Sequence, residues 1–176
     1  MRFLDDAGNP KLPFIHRDIA TWGELRFYLK KWTQKAYQQK YPILYPAFHG
    51  SRGQLTLAKE NGRSQDVPLD DIFEALGENC RGTIILFSAC DTLQIHGNSV
   101  QRYLRKSRAA AVCGYAGTVS WYDSTLLDLM LLHGMQKGTK SFTPHDARGI
   151  KRRVCERAKG FIASLQFQMV VRGGMR

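Results

Sequence analysis

Thr83-Ile-Ile-Leu-Phe-Ser-Ala-Cys90 is the most strand-like stretch of the chain, since it is β-branched at its start and apolar as far as Phe87. A short, uninterrupted apolar run is typical of a strand that is buried on both faces in a parallel sheet. The stretch therefore predicts the central strand of such a sheet. Cys90 would lie just beyond the carboxyl end of this strand.

A second apolar run ends in a similar way, with a histidine in the place of the cysteine. Residues 43–48 predict another buried strand, and His49 follows it directly. Because the carboxyl ends of parallel strands line one edge of a sheet, we expect His49 and Cys90 to face each other across a crevice. One of them would be a nucleophile and the other its acid/base partner.

Helices and strands are predicted in alternation along the rest of the chain. A capping box at Thr21 and Glu24, followed by apolar residues at helical spacing, predicts a helix that ends before Pro42. Asn61-Gly62, between two strand-like pieces, predicts a β-hairpin after His49. The remaining predicted elements are a short strand at 12–15, helices beginning at Pro68, near Val100, at Ser124 and at Thr143, and strands at 109–115 and 165–171.

This order predicts an α/β fold, a three-layer αβα sandwich around a mostly parallel sheet with an inserted β-hairpin. A chain of 176 residues suits one domain, since domains commonly run to about 100–150 residues. We expect a single domain over residues 1–171 and a loose carboxyl-terminal tail at 172–176.

Composition and cysteine usage indicate a compartment. No apolar run approaches the roughly 20 residues that span a bilayer, and the first residues lack the pattern of a signal peptide. We therefore expect a cytoplasmic protein without a membrane partner, in which thiols stay reduced. The four cysteines, which show no close paired spacing, are Cys80, Cys90, Cys113 and Cys155.

The net charge of +11, from 26 Lys and Arg against 15 Asp and Glu, raises nucleic acid as a partner. Most of the excess gathers on two predicted helical segments, residues 102–108 and 148–159. A solvated helix face is the favoured interpretation. Nucleic acid and an acidic partner protein stay open as alternatives.

Other chemistries fit the residues less well. The run 50–53 lacks the Gly-Lys-Ser/Thr ending of a phosphate loop, and Ser88 has no nucleophile-elbow context. A metal site usually draws two ligands from one short turn, so we expect no metal and no cofactor. The histidines and cysteines weighed as ligands are His49, Cys90, His96 and Cys113. From the residues alone, His49 and Cys90 are either a catalytic pair or two packed residues at strand ends.

The order of motifs resembles the caspase-like (clan CD) cysteine peptidases, most of all the CHAT branch with its separase-related and bacterial members. The resemblance rests on His49-Gly50 after one strand, a hairpin and an acidic-apolar helix, and Ser88-Ala89-Cys90 after the next strand. The segment 114–121, Gly-Tyr-Ala-Gly-Thr-Val-Ser-Trp, adds to it. The resemblance covers roughly residues 21–135.

The resemblance implies a cysteine endopeptidase with a Cys-His dyad. Cys90 would attack the scissile carbonyl as a thiolate, and His49 would protonate the departing amine. The backbone amides of Gly50 and Cys90 would form the oxyanion hole. In this family the two catalytic side chains need not touch before substrate binds.

The same resemblance places substrate-binding residues at Ser88, Ser120, Trp121 and Asp123. Caspases have Ser-Trp-Arg where this chain has Ser120-Trp121-Tyr122, and the absent arginine argues against cleavage after aspartate. Asp123 either pairs with a basic P1 side chain or caps the following helix. Trp121 is either a pocket wall or a core residue. Ser88 stands where many basic-specific relatives carry an acidic residue.

These implications predict a protease that cleaves a protein or peptide substrate, with an activating partner protein left open. Bacterial relatives suggest antiviral defence or programmed cell death, in which cleavage activates a pore-forming or toxin partner. The alternative is a non-catalytic interaction or nucleic-acid-binding module that has the same fold and uses its basic helices.

Overall fold

The computed structural model describes residues 13–58, 63–135 and 141–173. Within these residues the chain forms alternating strands and helices. The strands are β1 (Ile43–Leu44), β2 (His49–Ser51), β3 (Gln54–Ala58), β4 (Ser64–Pro68), β5 (Ile84–Phe87), β6 (Ala111–Tyr115) and β7 (Phe167–Val171). The helices are α1 (Trp22–Trp32), α2 (Lys35–Lys40), α3 (Leu69–Leu76), α4 (Gly97–Ser107), α5 (Trp121–Met135), α6 (Pro144–Arg157) and α7 (Lys159–Ser164).

The main sheet has the strand order β1-β5-β6-β7. Strands β1, β5 and β6 run parallel, and β7 joins β6 antiparallel. The predicted central strand is β5, whose four residues are all fully buried. The sequence prediction of a mostly parallel sheet is therefore confirmed.

Helices cover both faces of this sheet and give two separate hydrophobic cores. Ile85, Phe87 and Val112 point to one core, which α1, α3 and α4 close. Ile84 and Leu86 point to the other core, which α5, α6 and α7 close. Alternate residues of one strand thus feed opposite cores, and the molecule is the predicted three-layer α/β sandwich.

A second, antiparallel sheet has the order β2-β3-β4. The predicted hairpin is present, because β3 and β4 pair as far as Ala58 and Ser64. The Asn61-Gly62 turn itself lies outside the described residues. His49 begins β2 instead of merely ending the preceding strand, and it pairs with Thr56 of β3.

Three helix boundaries differ from the sequence prediction. The helix predicted from Thr21 to Pro42 breaks into α1 and α2, because Thr33 caps α1 and bonds its hydroxyl to the Lys30 carbonyl. The last helix similarly divides at Ala158. Helix α5 begins at Trp121, earlier than the predicted start at Ser124.

The chain ends also differ from the prediction. Residues 13–15 form no strand, and Leu12 lies outside the described residues. The tail predicted at 172–176 is attached at its start, because the Arg172 N–H donates to the Ala110 carbonyl at 3.0 Å. Among the described helices, none is both long and apolar enough to cross a membrane.

Candidate active site

The segments that lead to His49 and Cys90 run side by side to the edge of the main sheet. Beyond β1 and β5 they stay parallel, with a bridge between Ala47 and Ser88. Two backbone hydrogen bonds extend this pairing, Ser88 N–H to the Pro46 carbonyl at 2.9 Å and Phe48 N–H to the Ser88 carbonyl at 3.3 Å. His49 and Cys90 therefore lie at the same edge of the sheet, just beyond two neighbouring parallel segments.

Gly50 brings the two segments into direct contact. A methyl group built on Gly50 would lie 2.5 Å from the Cys90 carbonyl oxygen and 2.9 Å from the Ala89 Cβ. The same methyl group would lie 2.9 Å from Thr92 Oγ1. Only glycine allows this approach without displacing backbone, so the glycine after the histidine and the small residue before the cysteine belong to one contact.

Two backbone N–H groups at this contact are free of sheet hydrogen bonds. Since a two-residue turn at Arg52 and Gly53 joins the paired residues Ser51 and Gln54, the antiparallel ladder leaves Gly50 in a non-hydrogen-bonded pair with Leu55. The Cys90 N–H has no acceptor within the part of the chain that the structure describes. These are the amides that the sequence resemblance places in an oxyanion hole.

The segment 119–121 contacts both candidate catalytic residues. The Val119 N–H lies 3.4 Å from Cys90 Sγ, and the Val119 carbonyl lies 3.5 Å from the same sulfur. The ring of Trp121 packs edge-on against the His49 ring, with the centroids 6.0 Å apart. His49 and Cys90 make no hydrogen bond to each other among the described contacts. Their side chains are connected through Val119 and Trp121.

The loop after Cys90 is held by several hydrogen bonds. Asp91 adopts a left-handed backbone conformation with φ 54°. Its N–H donates to the Gly117 carbonyl at 3.1 Å, and its carboxylate accepts from the Thr118 hydroxyl at 2.9 Å. These bonds join the cysteine loop to the loop after β6. They support the position of Val119 beside the sulfur.

The four cysteines differ in exposure. Burial raises the pKa of Cys80 to about 12 and raises the pKa of Cys113 as well. Cys90 and Cys155 are only half-buried. Because the thiolate is the reactive form, burial disfavours reaction at Cys80 and Cys113, whereas Cys90 is partly accessible at the edge of the sheet.

Trp121 is 61% exposed, so its interpretation as a core residue is wrong. The side chains of Ser120 and Asp123 form hydrogen bonds at the start of α5. The Ser120 hydroxyl accepts from the Asp123 N–H at 3.1 Å and lies 2.8 Å from the Asp123 carboxylate. Ser120 is thus the capping residue, and Asp123 supports it from the first turn.

Ser88 lies inside the protein and bonds to a carboxylate that the sequence analysis did not single out. The Ser88 hydroxyl donates to Asp128 at 2.6 Å, and the hydroxyls of Tyr45 and Tyr115 donate to the same carboxylate at 2.8 Å and 2.7 Å. Asp128 is 1% exposed, and burial raises its pKa. Through these three hydrogen bonds, Asp128 connects residues at the carboxyl ends of β1, β5 and β6.

One signal in the sequence could have revealed Asp128. It is the single charged residue of the apolar run 126–132, Leu-Leu-Asp-Leu-Met-Leu-Leu. A charge within a buried helix is rare unless hydrogen bonds satisfy it. Its partners were not predictable, since Tyr45 lies 83 positions away.

No group of three or more His, Cys, Asp or Glu side chains converges as metal ligands in the residues that the structure describes. The groups that meet at the edge are a thiol, an imidazole and backbone amides.

The family comparison covers nearly the whole chain. The model of a family of unknown function, DUF6642, matches residues 5–169. The chain belongs to this family. No curated protein matches it. Membership in this family therefore assigns no chemistry to the site.

Proposed function

We propose that this protein is a cysteine endopeptidase, with Cys90 as nucleophile and His49 as acid/base. The observation that carries the proposal is the contact of Gly50 with the Ala89-Cys90 backbone at the carboxyl edge of the sheet. That contact places a half-buried thiol, an exposed imidazole and two amides without sheet partners within one small region.

The proposed reaction uses these groups in sequence. His49 takes the thiol proton, and the Cys90 sulfur attacks the carbonyl carbon of the scissile peptide bond to form a C–S bond. The amides of Gly50 and Cys90 donate to the oxygen, on which negative charge develops. The C–N bond then breaks as the imidazolium gives its proton to the leaving amine.

The second half of the reaction restores the enzyme. Water attacks the thioester, and neutral His49 accepts a proton from that water. The C–S bond breaks, the peptide acid leaves, and the thiolate is reprotonated from His49. The Val119 N–H, 3.4 Å from the sulfur, is a backbone donor that faces Cys90 throughout the reaction.

A peptide chain is the fitting substrate because the site is open. His49 and Trp121 are both exposed at the edge, and Tyr122 beside them is 74% exposed. Exposed aromatic rings next to the reacting groups provide a wall for substrate side chains. Tyr122 occupies the position of the caspase-type arginine, so we do not expect cleavage after aspartate.

We place the reaction in the cytoplasm, where the four free cysteines would stay reduced. The biological setting that fits the resemblance is bacterial defence or programmed cell death. There the enzyme would cleave one dedicated protein, such as a pore-forming or toxin partner, after activation by another protein.

The test is cleavage of a proteome-derived peptide library, read by mass spectrometry of the new termini. Cys90→Ala and His49→Ala should abolish all cleavage, because each removes a group that forms or transfers a bond. Cys155→Ala is the matched control, since it removes a half-buried thiol on α6. Equal cleavage by all four proteins would refute the proposal and would favour a non-catalytic module.

A further inference from the structure

Helix α6 carries a dense basic surface. Residues 148–159 hold six Lys or Arg and a single acidic residue, Glu156. Residues 148–157 extend over about 14 Å of α6 at 1.5 Å per residue, and Lys159 begins α7 just beyond it. The α6 basic surface consists of Arg148, Lys151, Arg152, Arg153, Arg157 and Lys159, all exposed except the half-buried Arg153.

These cations have no acidic partners within the described part of the chain, and this separates α6 from the other basic helix. On α4, Arg102 pairs with Asp70 at 2.8 Å, and Arg108 at its end pairs with Glu78 at 2.6 Å. The charges of α4 are thus partly satisfied within the fold. Those of α6 face solvent.

A cavity of about 580 Å³ opens beside this surface, where the end of α5 meets the first turns of α6. Arg148, Arg152 and Arg153 line it together with His145. The one carboxylate in its lining, Asp146, is held by the Thr143 N–H and hydroxyl at 2.9 Å and 2.7 Å. The cavity is therefore a concave site with guanidinium groups, the donors that bind phosphate oxygens in pairs.

The apolar residues that also line the cavity, Met135, Phe142 and Ile150, are buried, so the α6 basic surface exposes no large apolar side chain to a protein partner. Energetically important interface residues are mostly aromatic side chains and arginines buried in pockets. The large apolar side chains that the structure describes as exposed all lie on other segments, among them Phe27 on α1 and Trp121 on α5. Charge without apolar anchors suits a regular polyanion, in which every repeat offers a phosphate.

We propose that the α6 basic surface binds the phosphodiester backbone of nucleic acid. The arginines around the cavity hold successive phosphates, and the other cations of the surface extend the contact along the strand. Binding depends on charge and not on base sequence. It does not rely on Cys90 or His49.

The experiment measures binding of fluorescein-labelled 30-nucleotide single-stranded RNA, single-stranded DNA and duplex DNA by anisotropy. Arg148→Glu with Arg152→Glu tests the surface, and Arg105→Glu with Lys106→Glu on α4 is the control with the same change in net charge. Both pairs are exposed, and thermal unfolding checks that both proteins fold. The three probes distinguish RNA from DNA and single strands from duplex.

The wild type and the α4 control should bind alike, and the α6 variant should bind at least about tenfold more weakly at 50 mM salt. About four phosphate contacts would weaken wild-type binding roughly 100-fold between 50 and 200 mM salt. Cys90→Ala should bind as the wild type does. Absence of wild-type binding, equal weakening by both charge reversals, or stronger competition by polyglutamate than by unlabelled RNA would overturn the proposal.

Discussion

Gly50 shows at the scale of one residue why sequence spacing alone leaves the site open. Its backbone lies where a side chain would meet the Cys90 carbonyl, and its N–H is not used by β3. A glycine after a histidine has many explanations in a sequence. In the folded protein it permits the contact between the two candidate catalytic segments.

Gly50→Ala is therefore expected to disturb the site more than the fold. The added methyl group must displace backbone at Cys90, with a loss of about 1–3 kcal/mol in the free energy of unfolding. Peptide cleavage should fall by far more than this loss of stability explains. Urea unfolding and cleavage assays measure the two effects.

The matched control is Gly23→Ala on α1, where the nearest atom to a new methyl group lies 3.9 Å away. Its activity should be unchanged, and its free energy of unfolding should be unchanged or slightly higher because alanine favours a helix more than glycine does. If Gly50→Ala keeps full activity, the proposed oxyanion hole is wrong.

Asp128 gives a pH-dependent stability with a defined sign. Burial raises its pKa in the folded protein, so the folded state holds the proton more tightly than the unfolded chain does. The free energy of unfolding should fall as pH rises from about 4, the ordinary Asp value, through the raised pKa. Its hydroxyl partners do not titrate there, since burial raises the pKa values of Tyr45 and Tyr115.

Asp128→Asn should remove this slope. It should also lower stability by about 1–3 kcal/mol, because an amide cannot accept all three hydroxyl hydrogen bonds. Urea unfolding of both proteins at a series of pH values tests this. A stability difference between them that stays constant or grows in favour of the wild type as pH rises would contradict the assignment.

At the scale of elements, helix α5 connects the site to the core. Its first residue, Trp121, contacts the His49 ring, and its buried Asp128 accepts hydrogen bonds from Ser88 and Tyr45. Displacement of the start of α5 would therefore alter the surroundings of His49 without breaking a hydrophobic core.

Ser120→Ala should produce this displacement. Loss of the helix cap should lower stability by about 1 kcal/mol and should reduce cleavage, because Trp121 follows directly. Thr143→Ala is the matched control, since it removes the cap of α6 away from the site. The two variants should lose similar stability in thermal unfolding, and only Ser120→Ala should lose activity. Equal activity in both would show that the position of Trp121 is unimportant.

The interior strands were more predictable than the helix boundaries, but the prediction of a buried strand over residues 43–48 is wrong, since β1 is a two-residue, half-buried strand at the edge of the sheet. The short, β-branched apolar run of β5 favoured a buried strand, and the Asn61-Gly62 pair predicted that a hairpin joins β3 and β4. The break at Thr33 and the early start of α5 depend on single side-chain hydrogen bonds to backbone. Such bonds leave little trace in the apolar periodicity from which helices are predicted.

At the scale of the whole molecule, the parallel sheet determines where His49 and Cys90 lie. The edge shared by β1 and β5 was predictable, because sequential parallel strands place their carboxyl ends together. The link through Val119 and the carboxylate of Asp128 was not, since both depend on contacts between residues far apart in the chain. Which of the two basic segments keeps more unpaired cations could not be predicted until the pairing of Arg102 and Arg108 was known.

The most direct test of the central claim is covalent capture of the nucleophile by a library of peptidyl chloromethyl ketones with varied P1 residues. Adducts are located by peptide mapping in the wild type and in His49→Ala. We predict that the wild type is labelled at Cys90, with a clear P1 preference, and that His49→Ala is labelled much more slowly. Labelling of Cys155 as fast as Cys90, or labelling of Cys90 without P1 preference and unaffected by His49→Ala, would contradict the account.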